Sequence, residues 1–335
     1  MRSKITVIIA LSVIVVIFSS VLMENPRLID RGLYRLGFQE QVCVTETYDS
    51  DLKNVTNIAI AGDFGINENS VKTLKNIKSY EFDFIELDET DFVFTVTLNR
   101  PKKKNALHPQ MINEIAFAFQ YAFYNDNVRA VLLKSNGDVF CSGLDLKALN
   151  GDIEKNNSTV PKANSKVLIG ELFNKLYKPK ICQLEGDVYA GGFLIVAGCN
   201  YVVAKKNIVL GLPEVKRGIF PFQVMESLSK VISIRNIMDW CIRGYNLDVE
   251  IAKKWGLVSQ VVEKSDLINT VQNWLKDVVS NSPSAIRLGL EASYNISSSE
   301  LNHEYLSKML EKVLQSEDAK EGIKAFKEKR KPKWN

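Results

Sequence analysis

Residues Lys180–Asn200, KICQLEGDVYAGGFLIVAGCN, carry the reading on which the rest of the chain depends. Ile181–Leu184 is an apolar run of strand length and reads as a short buried strand. Glu185-Gly186-Asp187 is an acidic-glycine turn. Phe193–Cys199 is apolar on every side, which predicts a short helix buried all round. Between them stands Ala190-Gly191-Gly192. Two adjacent glycines at the mouth of a buried helix are unfavourable unless something must approach the main chain closely. The helix start also presents unpaired N–H groups and the positive end of the dipole, a suitable place for a developing oxyanion. A tight turn packed against a neighbouring strand accounts for the same glycines, and this stretch alone leaves both open.

Working outward, 335 residues give room for one large domain or two ordinary ones. The apolar share of 46% and charged share of 24% are those of a soluble globular protein. The net charge of +4 is spread along the chain, too weak to point to a nucleic-acid partner. Cys43, Cys141, Cys182, Cys199 and Cys241 are scattered without a CxxC pair, so buried reduced thiols are expected. His108 and His303 are the only histidines, which argues against a histidine-rich metal site. No metal is expected.

The N-terminus divides in two. Residues 1–23 form an apolar segment, running from Ile5 to Met23 behind Arg2 and Lys4, just long enough for a transmembrane anchor and also similar to a signal segment. Arginines flank both of its ends, so the charge rule sets no orientation. Residues 24–80 read as a linker followed by a strand, Asn57–Ala61, a loop, and a helix around Ser70–Ser79. NIAIAGDFGINENSVKTLKNIKS resembles the opening of the metallophosphoesterases, with Asp63 at a ligand position. The cluster of later His and Asn ligands that such a site needs does not follow, and a generic strand-turn-helix fits equally well.

From residue 81 to 335 the texture is that of one domain. Two strands, IELDE and FVFTVTLN, end at Arg100-Pro101; Lys102–Lys104 leads to Asn105-Ala106-Leu107; and His108-Pro109 opens a helix through Tyr124. Ala130–Lys134 is a buried strand leading through Ser135-Asn136-Gly137-Asp138 to FCSGLDLK at 140–147. A polar loop covers 150–166, and a helix covers 167–176. Beyond the opening stretch come a strand at Tyr201–Ala204, the segment LGLPEVKRGIFP at 210–221, and helices around 224–231, 235–241, 249–255, 267–279, 285–294 and 302–315. The chain closes on the strongly basic AFKEKRKPKWN.

NRPKKKNAL, VFCSGLDLKAL and EGDVYAGGFLIVAGCNYVVA followed by LGLPEVKRGIFP stand in a fixed order. Together with AKKWGLVSQVV and the tail, they resemble the crotonase superfamily of enoyl-CoA hydratases and isomerases from about Phe84 onward. The resemblance implies an α/β fold, a spiral of ββα turns with a helical C-terminal region, commonly assembled as homotrimers or hexamers. It also implies an acyl-CoA substrate and no cofactor beyond the CoA moiety. Its oxyanion donors, two backbone N–H groups, fall on Leu144 and Gly191. Substrate and CoA contacts fall on Cys141, Gly143, Leu144 and Gly192, on Leu194 and Phe222, and on the loop that holds Lys102 and Ala106. The CoA phosphates suit Lys102, Lys103, Lys147 or the tail lysines, each of which also reads as a solvated surface charge. Asp145 also reads as a plain helix cap.

The acid/base positions bear on the reaction. Hydratases of this family carry one glutamate three residues after the oxyanion glycine and another in a Pro-Glu motif; here those positions are Leu194 and Glu214. Two carboxylates divide the work of hydration, whereas one suffices to move a proton between two carbons. Glu214 is therefore the expected acid/base, with burial expected to raise its pKa; otherwise it is a loop glutamate paired with Lys216 or Arg217. Hydrolase relatives place an acid where Phe222 stands. The expected activity is hydration or isomerisation of an enoyl-CoA. The alternatives are a non-catalytic acyl-CoA-binding protein of the same fold and a membrane-anchored phosphoesterase built on Asp63. CoA thioesters place the enzyme domain in the cytosol, behind any anchor formed by residues 5–23.

Overall fold

A computed structural model describes residues 74–281 apart from residue 165, scattered positions between 283 and 315, and residues 317–330. The apolar segment 5–23, the strand expected at 57–61, Asp63 and the helix expected at 302–315, except for scattered positions near its end, lie outside the described residues.

A 3-10 helix, Leu74–Ser79, comes first, and Tyr80 beyond it meets Phe117 edge-on with ring centroids 4.8 Å apart. Strands β1 (Ile85–Thr90) and β2 (Val93–Leu98) form an antiparallel hairpin, followed by helix α1 (Pro109–Tyr124). Proline at its first position suits the helix start, and the His108 imidazole caps it by accepting from the Gln110 N–H at 3.1 Å.

Three strand pairs then follow: β3 (Ala130–Ser135) with β4 (Val139–Cys141), β5 (Lys180–Leu184) with β6 (Asp187–Tyr189), and β7 (Tyr201–Lys205) with β8 (Val209–Gly211). In each pair the first strand joins a six-stranded sheet ordered β1-β2-β3-β5-β7-β10, and the second joins a four-stranded sheet ordered β4-β6-β8-β9. Within each sheet the three successive strands are parallel neighbours. The chain thus climbs as a spiral, with one strand pair to each turn. Helices α2 (Leu146–Leu149) and α3 (Ile169–Lys175) follow β4, α4 (Phe193–Ala197) follows β6, and α5 (Phe222–Ser229) and α6 (Ile234–Arg243) follow β8. β9 (Asn246–Asp248), α7 (Val249–Trp255), β10 (Gln260–Val262) and α8 (Lys264–Val279) come next. Helix α9 (Glu317–Lys327) occupies the tail, which the sequence had marked only as basic.

The central strands β3, β5 and β7 of the large sheet are covered on both faces, which is why they read as nearly continuous apolar runs. On one face Ala130, Ile181 and Val203 pack against Leu267, Val271 and Leu275 of α8. On the other, Val131, Cys182 and Val202 join the main core with Phe117 and Phe119 of α1. α4 is buried as expected, and Phe193 meets Trp240 of α6 with centroids 5.0 Å apart. Cys141, Cys182, Cys199 and Cys241 are all buried and free.

Candidate active site

Three segments leave the C-terminal ends of β4, β6 and β8, which lie side by side and parallel, so their exits gather on one edge of the small sheet. They are Ser142–Leu144, Ala190–Gly192 and Leu212–Glu214. Convergence at the carboxyl ends of parallel strands is where open α/β sheets place their ligands. A register shift between Val139 and Cys141 bends the first segment as it leaves the sheet.

The first two segments touch through their backbones. Gly143 has a φ of +92°, and a Cβ built on it would lie 2.7 Å from the Ala190 Cβ and 3.0 Å from the Gly191 nitrogen. A Cβ on Gly191 would lie 3.4 Å from the Leu144 nitrogen. On Gly192 it would meet the Cys141 Cβ and carbonyl oxygen, each at 3.0 Å. The glycines are therefore where two main chains come into contact, and the open choice between tight turn and close approach resolves toward close approach. Ala190 holds a φ of +51°, a left-handed conformation that is unfavourable for a residue with a side chain and that redirects the peptide into Gly191. Leu144 forms a parallel bridge with Leu107, in which Leu107 donates to the Gly143 carbonyl at 2.8 Å and Asp145 donates to the Leu107 carbonyl at 3.1 Å. The bridge uses the Gly143 carbonyl and the Asp145 N–H on either side of Leu144 and leaves the Leu144 N–H out. Two neighbouring backbone donors of this kind can receive one developing oxyanion.

Glu214 opens a 3-10 turn, Glu214–Arg217, beyond β8. Burial pushes its carboxyl up to about 7, against the opposing pull of its own backbone N–H and of the Arg217 charge. Oε2 is shielded from solvent without a hydrogen-bond partner among the described residues. Cys241 of α6 stands close enough for Glu214 to act on it; burial first, and then that charge, push its thiol up to about 12. The Cys141 thiol is likewise raised to about 12 by burial, so neither cysteine is a thiolate nucleophile at neutral pH. Leu194, on α4, is buried in the main core.

Asp145 is the cap that the sequence allowed, accepting from the N–H groups of Lys147 at 3.0 Å and Ala148 at 3.3 Å. It also carries a role that the sequence concealed. Arg100 is buried and donates to Asp145 at 2.6 Å and to the Ala106 carbonyl at 3.2 Å; it also pairs with Glu154 and stacks on Phe84. Burial pushes the Asp145 carboxyl up, but Arg100 and the α2 amides hold it below its ordinary 3.8. Asn105 completes the clamp: it accepts from the Arg100 N–H at 2.7 Å and donates to the carbonyls of Asn136 and Val139 at 2.9 and 2.8 Å. Its φ of +50° is one that asparagine tolerates. NRPKKKNAL is thereby tied to the segment bearing Leu144. An arginine that ends a strand before proline gives no sequence signal of burial, because its partners lie far along the chain.

Replacing Arg100 with Met would leave Asp145, only 12% exposed, without its counter-charge. A loss of about 3 kcal/mol at pH 7 is expected, the scale for breaking one side of a buried pair. A depressed carboxyl contributes stability above its unfolded pKa and loses it as pH falls through the folded one. The gap between wild type and Arg100→Met in urea melts should therefore narrow below pH 3.8. An equal gap at pH 3 and pH 7 would contradict the ion-pair account.

Lys102, Lys103 and Lys147 are exposed; the first two lie on a 3-10 turn, Pro101–Lys103, beside Ala106. Phe222 begins α5 and packs on Phe220, with centroids 5.1 Å apart. Among the described residues, no group of three or more His, Cys, Asp or Glu side chains could hold a metal. No helix among them is long and apolar enough to cross a membrane.

A spiral of paired strands thus brings the exits that carry Leu144, Gly191 and Glu214 to one edge of the small sheet. Residues 88–335 match the family described as enoyl-CoA hydratase/isomerase, and the chain belongs to it. It is 31% identical over 253 residues to a mevalonyl-coenzyme A hydratase of Aspergillus fumigatus, covering 73% of this chain and 92% of the relative. It is 29% identical over 258 residues to a short-chain-enoyl-CoA hydratase of Clostridium acetobutylicum, covering 75% and 97%. Among solved structures, a carnitinyl-CoA hydratase from Mycobacterium avium superposes with a TM-score of 0.69 at 24% identity over 76% of this chain and 99% of its own. An enoyl-CoA hydratase/isomerase from Pseudoalteromonas atlantica does so with 0.68 at 24% identity over 75% and 100%. These superpositions establish the crotonase fold. The protein is an acyl-CoA enzyme of the hydratase/isomerase type.

Proposed function

We propose that the enzyme moves a double bond along the acyl chain of an enoyl-CoA, with Glu214 as its single acid/base. The observation that carries this reading is the pairing of a buried carboxylate raised to about 7 with an apolar Leu194 at the place of the second hydratase glutamate. Glu214 is the one acidic side chain on the three converging segments, and Asp145, next after the first of them, is committed to Arg100 and the α2 amides. The thioester carbonyl sits between the N–H groups of Leu144 and Gly191. The Glu214 carboxylate takes a proton from the α carbon of a 3-enoyl-CoA, the electron pair passes into a dienolate held by those donors, and the carboxylic acid returns the proton at the γ carbon. No water is consumed and no second base is required.

Hydration is the second reading, favoured by the names of the most similar relatives. There Glu214 would deprotonate a water that adds at the β carbon and would then supply the proton at the α carbon. CoA phosphates in either case meet Lys102, Lys103 or Lys147, and no cofactor beyond the CoA moiety is required. The same reading carries a homotrimer or homohexamer and a cytosolic enzyme domain behind residues 5–23; sedimentation and membrane fractionation of the full chain test these.

One assay decides the reaction: the protein is given crotonyl-CoA or a 3-enoyl-CoA, and the conjugated thioester absorbance is followed. Isomerisation predicts a gain on the second substrate and little change on the first. A loss on crotonyl-CoA with no gain on the 3-enoyl thioester selects hydration. No change on either, with the fold intact, would sink both readings for these substrates.

A further inference from the structure

The turn that carries Glu214 is gripped from two sides by glycines. On one side Gly244, the left-handed cap of α6, would place a Cβ 2.9 Å from the Val215 side chain and 3.3 Å from the Leu212 carbonyl oxygen. On the other side α9 lies directly on the turn. A Cβ on Gly322 would overlap the carbonyl carbon and oxygen of Arg217 and stand 2.8 Å from its Cα. Ala319 and Ala325, three residues to either side of Gly322 and so on the same helix face, are fully buried. The contact is latched at its margins. The Arg217 guanidinium lies over the Phe326 ring at 4.4 Å, and Arg330 folds back to grip Glu321 with two bonds of 2.6 and 2.9 Å. No other glycine with a described environment comes as close to another backbone.

We propose that Gly322 is a positioning residue for the reaction: by letting α9 rest on the Arg217 carbonyl, it holds the Glu214 turn in place and keeps water from the carboxylate. The proposal rests on the reading of Glu214 as the base. It gives the tail a role in the chemistry, in addition to any contact that its lysines make with CoA. The physical link is desolvation. Burial is the largest cause of the raised Glu214 carboxyl, and α9 packs on the same turn through the Arg217 backbone. Among the described side chains, the charged and titratable groups on the elements packed there are Lys216 and Arg217 of the turn, Arg235, Asp239, Cys241 and Arg243 of α6, and Lys320, Glu321, Lys324 and Lys327 of α9. Among these described groups, Arg217 and Cys241 are the ones coupled electrostatically to Glu214, and neither lies on α9. Lifting α9 therefore acts through water rather than by removing a charge partner.

The test compares the pH dependence of kcat/KM in the full chain for wild type, Gly322→Ala, Phe326→Ala and Gly289→Ala. Gly289 is helical with nothing within 4 Å of its Cβ position, so its variant controls for the added methyl alone. Gly322→Ala is expected to move the acid limb to lower pH by about half a unit or more as Glu214 gains water. Its kcat should fall severalfold while KM stays put. Phe326 is half exposed, so Phe326→Ala loosens the latch without threatening the core and should shift the limb in the same direction by less. It decides alone if Gly322→Ala does not fold. A folded Gly322→Ala whose limb coincides with wild type overturns the proposal, as does an equal shift in Gly289→Ala. Glu214→Gln distinguishes the two levels: undiminished turnover there overturns the base assignment itself. An impaired Glu214→Gln beside α9 variants with an unmoved limb overturns only the positioning role.

Discussion

Glu214→Gln is expected to lower turnover by about 10²–10⁴ and at the same time to raise thermal stability at pH 8. The two effects share one cause. A base whose carboxyl is lifted from 4.5 to about 7 is poised near the working pH, where proton transfer is most effective. The same lift means that ionising Glu214 opposes folding. Below pH 4.5 both folded and unfolded chains hold the proton and nothing is lost. Between 4.5 and about 7 only the unfolded chain ionises, so stability falls as pH rises. Above about 7 the penalty is fully developed, at most about 3 kcal/mol. Glutamine never ionises, so its advantage should grow across that window and level off above it. Loss of the counter-charge to Arg217 offsets part of the gain. Denaturant melts of the two proteins at pH 4, 6 and 8, read beside their kcat values, check both halves. A variant that loses activity with no pH-dependent gain in stability would mean that Glu214 is solvated in the folded protein. One that keeps its activity would remove Glu214 from the chemistry.

Gly143→Ala is expected to reduce kcat/KM by about 10²–10³, the scale for losing one oxyanion donor. The added methyl would fall 2.7 Å from the Ala190 Cβ and 3.0 Å from the Gly191 nitrogen, so the exits of β4 and β6 must part. Leu144 and Gly191 sit on opposite sides of that contact, and separating them spoils the pair even though both N–H groups survive. The φ of +92° adds backbone strain, a confounding effect. Gly151→Ala isolates it: Gly151 has a φ of +86° with nothing within 4 Å of its Cβ position. That variant should lose some stability and keep its turnover. If Gly143→Ala stays within about tenfold of wild type, the two donors do not act as a pair.

Much of this site was legible in the sequence because its parts are short and local. FCSGLDLK, YAGG and LPEVKRG each declare themselves through glycine or proline at positions where a side chain or a free φ would interfere. The helices Pro109–Tyr124, Val249–Trp255 and Lys264–Val279 were readable for a related reason, since each spans enough turns to show its caps or its apolar face. The small sheet was not readable. β4, β6, β8 and β9 have three residues each, too few to show any alternation, and they are strands only because neighbours pair with them.

The sequence by itself determined which residues are candidates: the two donors, the glutamate and the missing second carboxylate. The tertiary structure alone decided what holds them. That Arg100 is buried against Asp145, 45 residues away, depends on a chain path that no local pattern encodes. The same is true of α9, which comes back from beyond residue 316 to rest on the turn of Glu214. Spacing and residue type report on a few ångströms of neighbouring chain. The pKa of a carboxylate depends on everything that excludes water from it, and most of that arrives from far along the sequence.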